Sequence, residues 1–267
     1  MLNSVLRVLE AGSGRGAVSG APARWPVLRR LAALVLASTM VAVPAYADTA
    51  GTVTQLAGVL TAHKLDGTTR ILSMQSNVDS GDLLSTGANS YARLKFTDGG
   101  DMTLRPNTQM KIDDYRFNQE KPQEDNAFFR LVKGGLRAVT GLVGHRNGLQ
   151  NYQLATPTAT IGIRGTDWGA LYCENDCGGY KDNAGKTPQN GLYVDVTNGK
   201  IVVTNTGGSQ EFSPGQFGFI GGVTTPPIIL PPNEGVPIST DKGLNKPPES
   251  VLGNQTNQKD FQCTIDG

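Results

Sequence analysis

From Thr156 to Gly169 the chain reads Thr-Pro-Thr-Ala-Thr-Ile-Gly-Ile-Arg-Gly-Thr-Asp-Trp-Gly. Small or polar residues alternate with Ala159, Ile161 and Ile163; the alternation breaks at Arg164-Gly165-Thr166 and resumes at Trp168. A period of two sends successive side chains to opposite faces, so the stretch predicts a strand with one face buried. Pro157 suits the start of that strand, where it removes no ladder hydrogen bond from the interior, and the glycines permit a bulge or a close backbone approach. What surrounds such a segment must be able to cover its apolar face.

The flanking chain supplies more strands. Ala92, Leu94 and Phe96 alternate with Arg93, Lys95 and Thr97, the chain turns at Asp98-Gly99-Gly100, and Met102 and Leu104 return. That is a hairpin, with Arg93 and Lys95 toward solvent. Phe128 to Val132 can begin a short helix or a strand, and Lys133-Gly134-Gly135-Leu136-Arg137-Ala138-Val139 favours strand, glycine turn, strand. Leu192, Val194 and Val196 alternate up to a turn at Asn198-Gly199, after which Ile201 and Val203 come back. Leu56-Ala57-Gly58-Val59-Leu60, Lys133-Gly134-Gly135-Leu136 and Thr197-Asn198-Gly199-Lys200-Ile201 each set a glycine turn between two short β segments. Their spacing is too irregular for a strict repeat, yet it fits short strands stacked as coils of a roll. Charged residues make up 18% of the chain, and there are 34 glycines and few long apolar helical runs. The expected class is all-β, a solenoid-like or roll-like stack of short strands and hairpins with a flexible C-terminal tail.

The two ends differ from the middle. Arg24, Arg29 and Arg30 precede an apolar run, Leu31 to Val43, followed by Pro44-Ala45-Tyr46-Ala47. This order predicts a signal peptide over residues 1–47, cleaved after Ala47. The run is shorter than the roughly 20 residues a spanning helix needs, so no stable membrane span is expected once the leader is removed. Residues 48–222 are then the β domain and residues 223–267 a Pro-rich flexible tail. Within it Thr225-Pro226-Pro227-Ile228-Ile229-Leu230-Pro231-Pro232 is expected to be extended and without sheet partners, its apolar bead free to dock on the domain or on a partner.

Export places the chain in an oxidising compartment. Cys173 and Cys177, separated by Glu174-Asn175-Asp176, are expected to close a disulfide. A metal site needs more ligands than two cysteines, and Cys263 is left as a free thiol or as a link between chains.

Composition also narrows function. A formal net charge of +1, with no basic stripe, excludes a strong electrostatic case for nucleic acid. The sequence has no Gly-x-Ser-x-Gly, His-Glu-x-x-His or Walker pattern, and its histidines, His63 and His145, sit beside cations in expected loops. No catalytic, cofactor or metal site is expected. Arg164 has two readings, a partner contact or a structural brace holding turn carbonyls or a carboxylate such as Asp167 or Asp82; the brace is the expectation. Trp168, Tyr172 and Tyr180 are candidate partner contacts, Trp168 being also a candidate for the core. Together with Tyr193 they are the aromatics a sugar could stack on.

An ordered set of motifs spans roughly residues 52–220. It comprises Gly81-Asp82, Thr86-Gly87, Ala92-x-Leu94-x-Phe96-x-Asp98-Gly99, Leu104 with Pro106-Asn107-Thr108, Gly135, Thr156-Pro157-x-Ala159-x-Ile161-x-Ile163-Arg164-Gly165-Thr166, Val194-x-Val196-x-x-Gly199-x-Ile201, and Gly215-Gln216. In this order the motifs resemble the FecR-domain family, the periplasmic portion of iron-dicitrate-type transmembrane signalling regulators. The resemblance implies a β-rich, solenoid-like domain that binds protein partners in the periplasm, with Thr156, Pro157, Arg164, Gly165 and Thr166 in its central structural motif. Regulators of the sigma-factor type carry a cytoplasmic anti-sigma region and a retained membrane helix before this domain, and many carry a further small domain after it. Here thirty residues precede the apolar run that starts at Leu31. The expectation is therefore a free-standing, non-catalytic, exported domain, periplasmic or secreted, that binds an envelope protein or senses a signal. The alternative is an extracytoplasmic structural or glycan-binding protein.

Overall fold

The structure, a computed structural model, describes residues 49–146 and 149–238. The expected leader, Cys263 and residues 239–267 of the expected tail lie outside them. The described chain is built almost wholly of strands: β1 (Thr49–Ala57), β2 (Leu60–His63), β3 (Thr69–Leu72), β4 (Asn77–Asp79), β5 (Leu83–Thr86), β6 (Tyr91–Phe96), β7 (Asp101–Leu104) and β8 (Gln109–Arg116). β9 (Asn126–Val139), β10 (Tyr152–Ala155), β11 (Thr160–Cys173), β12 (Gly191–Asn205), β13 (Gly208–Phe212), β14 (Phe217–Ile220) and β15 (Ile228–Leu230) follow. One short helix, α1 (Leu142–Arg146), lies between β9 and β10. Among the described residues no helix is long and apolar enough to cross a membrane.

All the strands belong to one open sheet, and its pairings divide into two runs that share three long strands. In one run the order is β4, β1, β6, β7, the second half of β9, the second half of β11, the first half of β12, β14, β15. In the other it is β3, β2, β5, β8, the first half of β9, β10, the first half of β11, the second half of β12, β13. β9, β11 and β12 each pass from one run to the other at a bend.

The bends are made by glycines in left-handed backbone. Gly134 has φ +79°, and a Cβ there would lie 2.6 Å from the Thr108 Cα. Gly199 has φ +76°, and its Cβ would lie 2.2 Å from the Gly165 carbonyl oxygen. Only glycine meets both the conformation and the crowding. The glycine "turns" expected at these two places therefore do not reverse the chain into hairpins. Each bends a single continuous strand, because the residues on both sides keep their ladder partners.

The two runs bury their apolar residues against each other. Phe96 on β6 lies 5.2 Å from both Tyr115 on β8 and Phe129 on β9, ring centroid to ring centroid. Leu94, Met102 and Leu104 of the first run and Met110, Ile112 and Leu131 of the second are all buried in the same core. The hairpin has the expected register, Ala92 opposite Leu104 and Leu94 opposite Met102.

A second, smaller cluster lies on the opposite face of β11, β12 and β14. It is made of Leu171, Cys173, Cys177, Tyr193, Val236 and Ile238. This corrects the expected tail boundary at residue 223. Ile228–Leu230 pairs with β14, and Val236 and Ile238 are buried at 1% and 0% exposure. Prolines on both sides of the bead keep this strand to three residues and suit it to a sheet edge.

Candidate functional site

The Thr156–Gly169 stretch divides into two parts with different jobs. Thr156 and Pro157 form the turn between β10 and β11 rather than the start of the strand. Thr156 donates its N–H and its hydroxyl to the Ala159 carbonyl, each at 2.8 Å, and its Oγ1 accepts the Ala159 N–H at 3.1 Å. The Arg164-Gly165-Thr166 break is a bulge in the pairing of β11 with β12. Thr166, 2% exposed, holds it shut: its N–H donates to Thr140 Oγ1 at 2.8 Å, and its hydroxyl lies 2.9 Å from the carbonyls of both Arg164 and Lys200.

Arg164 is not the brace. Its side chain is exposed, and the carboxylates expected for it are held by other arginines: Asp82 by Arg70 at 2.6 Å and Asp167 by Arg137 at 2.7 Å. The brace is Arg137, which sequence reasoning missed. Its guanidinium also meets Asp195 at 3.0 Å, donates to the Ile238 carbonyl at 3.1 Å and bonds Thr197. Arg137 and Asp195 both lie opposite Gly169 in the sheet, and a Cβ on Gly169 would come within 2.2 Å of Asp195 Oδ1. Glycine thus leaves the space in which the ion pair forms. Burial raises the Asp195 pKa above its usual carboxylate value, with the Arg137 charge pulling the other way. Strand parity held the missing signal: Ala138, Trp168, Val194 and Val196 point to the core, so Arg137, Asp167 and Asp195 must share the other face.

Of the expected contact residues, Trp168 is 0% exposed and belongs to the core, so it offers no surface to a partner or a sugar. Tyr193 is likewise buried. Tyr172 and Tyr180 remain half-exposed, and both adjoin the cysteine loop. Cys173 ends β11 and is joined to Cys177, with Cα atoms 5.4 Å apart. The intervening loop is pinned to the entry of β12, since Asn175 and Asn190 exchange two hydrogen bonds of 2.8 and 3.0 Å. Past the bridge, the Tyr180 ring lies beneath the Arg105 guanidinium, 4.6 Å from centroid to carbon.

Tyr91, Arg105, Asn107, Asp176 and Tyr180, with the backbone of Gly134, border a cleft of about 190 Å³. Burial raises the Tyr180 pKa, opposed by Arg105. Burial first, and then the charges of Glu174 and Asp176, raises that of Tyr172. Both tyrosines are therefore neutral hydroxyls in the physiological range. The cleft sets a cation on an aromatic face beside the Asp176 carboxylate. His63 bonds Thr61 and Thr69, whereas His145 bonds the Gly141 carbonyl, so the histidines serve separate elements. Among the described residues no three His, Cys, Asp or Glu side chains group to hold a metal.

Fold and cleft together define an all-β domain with a disulfide-pinned cleft at one end of its strands. Residues 82–201 match the family model described as FecR protein. Two crystal structures of one candidate anti-sigma factor from Parabacteroides distasonis, at 1.65 and 2.50 Å, are similar to the chain with a TM-score of 0.41 and 14% identity. That likeness covers 57% of this chain and 60% of the other, less than two thirds of its length. A search of curated proteins finds no match.

Proposed function

We propose that this chain is a non-catalytic, exported module of the cell envelope that binds a protein partner or senses a signal through its FecR domain. The partner engages the disulfide-loop surface around Tyr172, Tyr180 and Arg105. In this reading the bent strands form a roll-like scaffold and the cleft is its recognition end. The observation that carries it is the Arg105–Tyr180 stack beside the Cys173–Cys177 bridge: a rigid, partly exposed aromatic and cation, the residue types that dominate binding energy at protein interfaces. The FecR match over residues 82–201 supports a module of the signalling-regulator type.

The test is affinity capture from envelope extracts with the parent chain and with Arg105→Ala and Tyr180→Ala, each variant first checked for an unchanged melt. A protein retained by the parent and lost by the variants is the expected result. Recovery of no protein under several conditions, or equal retention by the variants, would overturn the proposal.

A further inference from the structure

A larger groove, of about 780 Å³, lies at the other end of the strands. Tyr91, the first residue of β6, borders the disulfide cleft, while Thr97, just past its end, borders the groove. The two are six residue steps apart along the strand, about 20 Å. The groove forms where the end of β8 and the start of β9 meet the loop over residues 117–125, and it falls within the usual size range of small-ligand sites.

Two of its lining residues are buried and incompletely bonded. Asp125 is 1% exposed and its Oδ2 has no partner; Asn126 is 8% exposed and its Oδ1 has none. Their other polar atoms are fixed, because Asp125 Oδ1 accepts the Asn118 N–H at 2.7 Å and Asn126 Nδ2 donates to Asp114 at 2.9 Å. The orphans are therefore both acceptors on adjacent residues, and buried acceptors are rarely left unmet. The other charged groups of the lining are matched: Arg116 pairs with Asp114 at 2.8 Å and Glu124 with Lys121 at 3.3 Å. Among the described residues no cation pairs with Asp125.

We propose that this groove binds a peptide through a cationic nitrogen, a lysine ammonium or a free amino terminus, which donates to Asp125 Oδ2 and Asn126 Oδ1. A neutral donor such as a sugar hydroxyl satisfies the amide oxygen but leaves the carboxylate without a counter-ion. An ammonium satisfies both with charge-assisted bonds. The partly exposed Phe128 side chain in the same lining supplies aromatic surface to a cation, and the Gln123 and Gln150 carboxamides match the alternating donors and acceptors of a main chain.

The probes are carboxyl-labelled hexapeptides measured by fluorescence anisotropy against the full chain. One is amino-acetylated with a central lysine, one carries acetyl-lysine there, and one is polyalanine with a free amino terminus; a glucosamine oligomer is the competitor. The lysine peptide is expected to bind, and acetylation of the lysine to weaken binding about tenfold or more. Binding of the free-amino polyalanine assigns the site to chain termini as well. Asp125→Asn is expected to weaken binding by about the same factor. Glu124→Lys, on the exposed 3-10 turn over Pro122–Glu124, reverses the rim charge without touching buried atoms and is expected to weaken it too. Equal affinity for lysine and acetyl-lysine peptides, no binding of either, full competition by the glucosamine oligomer, or unchanged binding by folded Asp125→Asn and Glu124→Lys would each overturn the proposal. Because the probes are synthetic, these outcomes do not depend on the partner of the disulfide cleft.

Discussion

Replacing Arg137 by Met keeps most of the apolar stem and deletes the guanidinium. The Asp195 carboxylate, 12% exposed, then loses its cation. Removing one partner of a buried pair costs about 3–5 kcal/mol, because the remaining charge is stranded. The Asp167 pair adds at most about 1 kcal/mol, since its carboxylate is 31% exposed and screened. The bond to the Ile238 carbonyl overlaps with these terms, so the expected loss is about 4 kcal/mol, or roughly 8–16 °C in Tm for a domain of this size. Urea unfolding followed by the fluorescence of buried Trp168 measures it.

The pH dependence of the same variant separates a stranded charge from lost packing. The folded pKa of Asp195 is raised above 3.8, so this group's stabilising contribution is present below the unfolded value and is lost as pH rises through the folded one. Arg137 is a cause that lowers the folded pKa. Deleting it raises that pKa further, and the penalty in Arg137→Met is largest at neutral pH and shrinks as acid protonates Asp195. Adding Asp195→Asn removes the stranded charge and should restore most of the loss at neutral pH. A loss below about 1 kcal/mol, a loss independent of pH, or no rescue by Asp195→Asn refutes the reasoning.

Two further outcomes test neighbouring features. Thr166→Val leaves the Arg164 and Lys200 carbonyls without their shared donor and should destabilise by about 1–3 kcal/mol, whereas Arg164→Ala should stay within about 0.5 kcal/mol in the same urea assay. With Cys173 and Cys177 joined, thiol titration of the unreduced full chain should find no more than one free thiol among its three cysteines, and reduction should speed amide exchange mainly over residues 174–190.

Much of the strand content was legible because alternation reports burial directly. Ala92, Leu94 and Phe96 are all buried, as are Leu192, Val194 and Val196. The Arg-Gly-Thr interruption was legible as a break in pairing. Its chemistry was not, because a lone sequence position does not say which of two nearby cations meets a carboxylate. Arg164 precedes the bulge and points to solvent, while Arg137 stands across the sheet and is covered by the segment that contains Ile238. That covering segment was itself read as free chain. Four prolines around Ile228–Leu230 signal a poor central strand, but an edge strand needs ladder bonds on one side only, and β14 provided them.

Glycine within an alternating run has two structural meanings, and the local sequence does not distinguish them. At Asp98-Gly99-Gly100 the chain reverses, and β6 pairs with β7. At Gly134 and Gly199 it bends and continues, because the partners of β9 and β12 change from one run of the sheet to the other. What decides between them is the length of the apolar alternation on both sides together with the availability of neighbours. Residues 126–139 and 191–205 are each long enough to serve two runs, whereas the strands around Gly99 are not. The three glycine echoes at residues 58, 134 and 199 therefore mark places where the chain crosses between runs: β1 pairs in the first run and β2 in the second, just as the halves of β9 and β12 do. Such bends put the loops at the strand ends rather than along the sheet faces, and both the disulfide cleft and the Asp125 groove lie there.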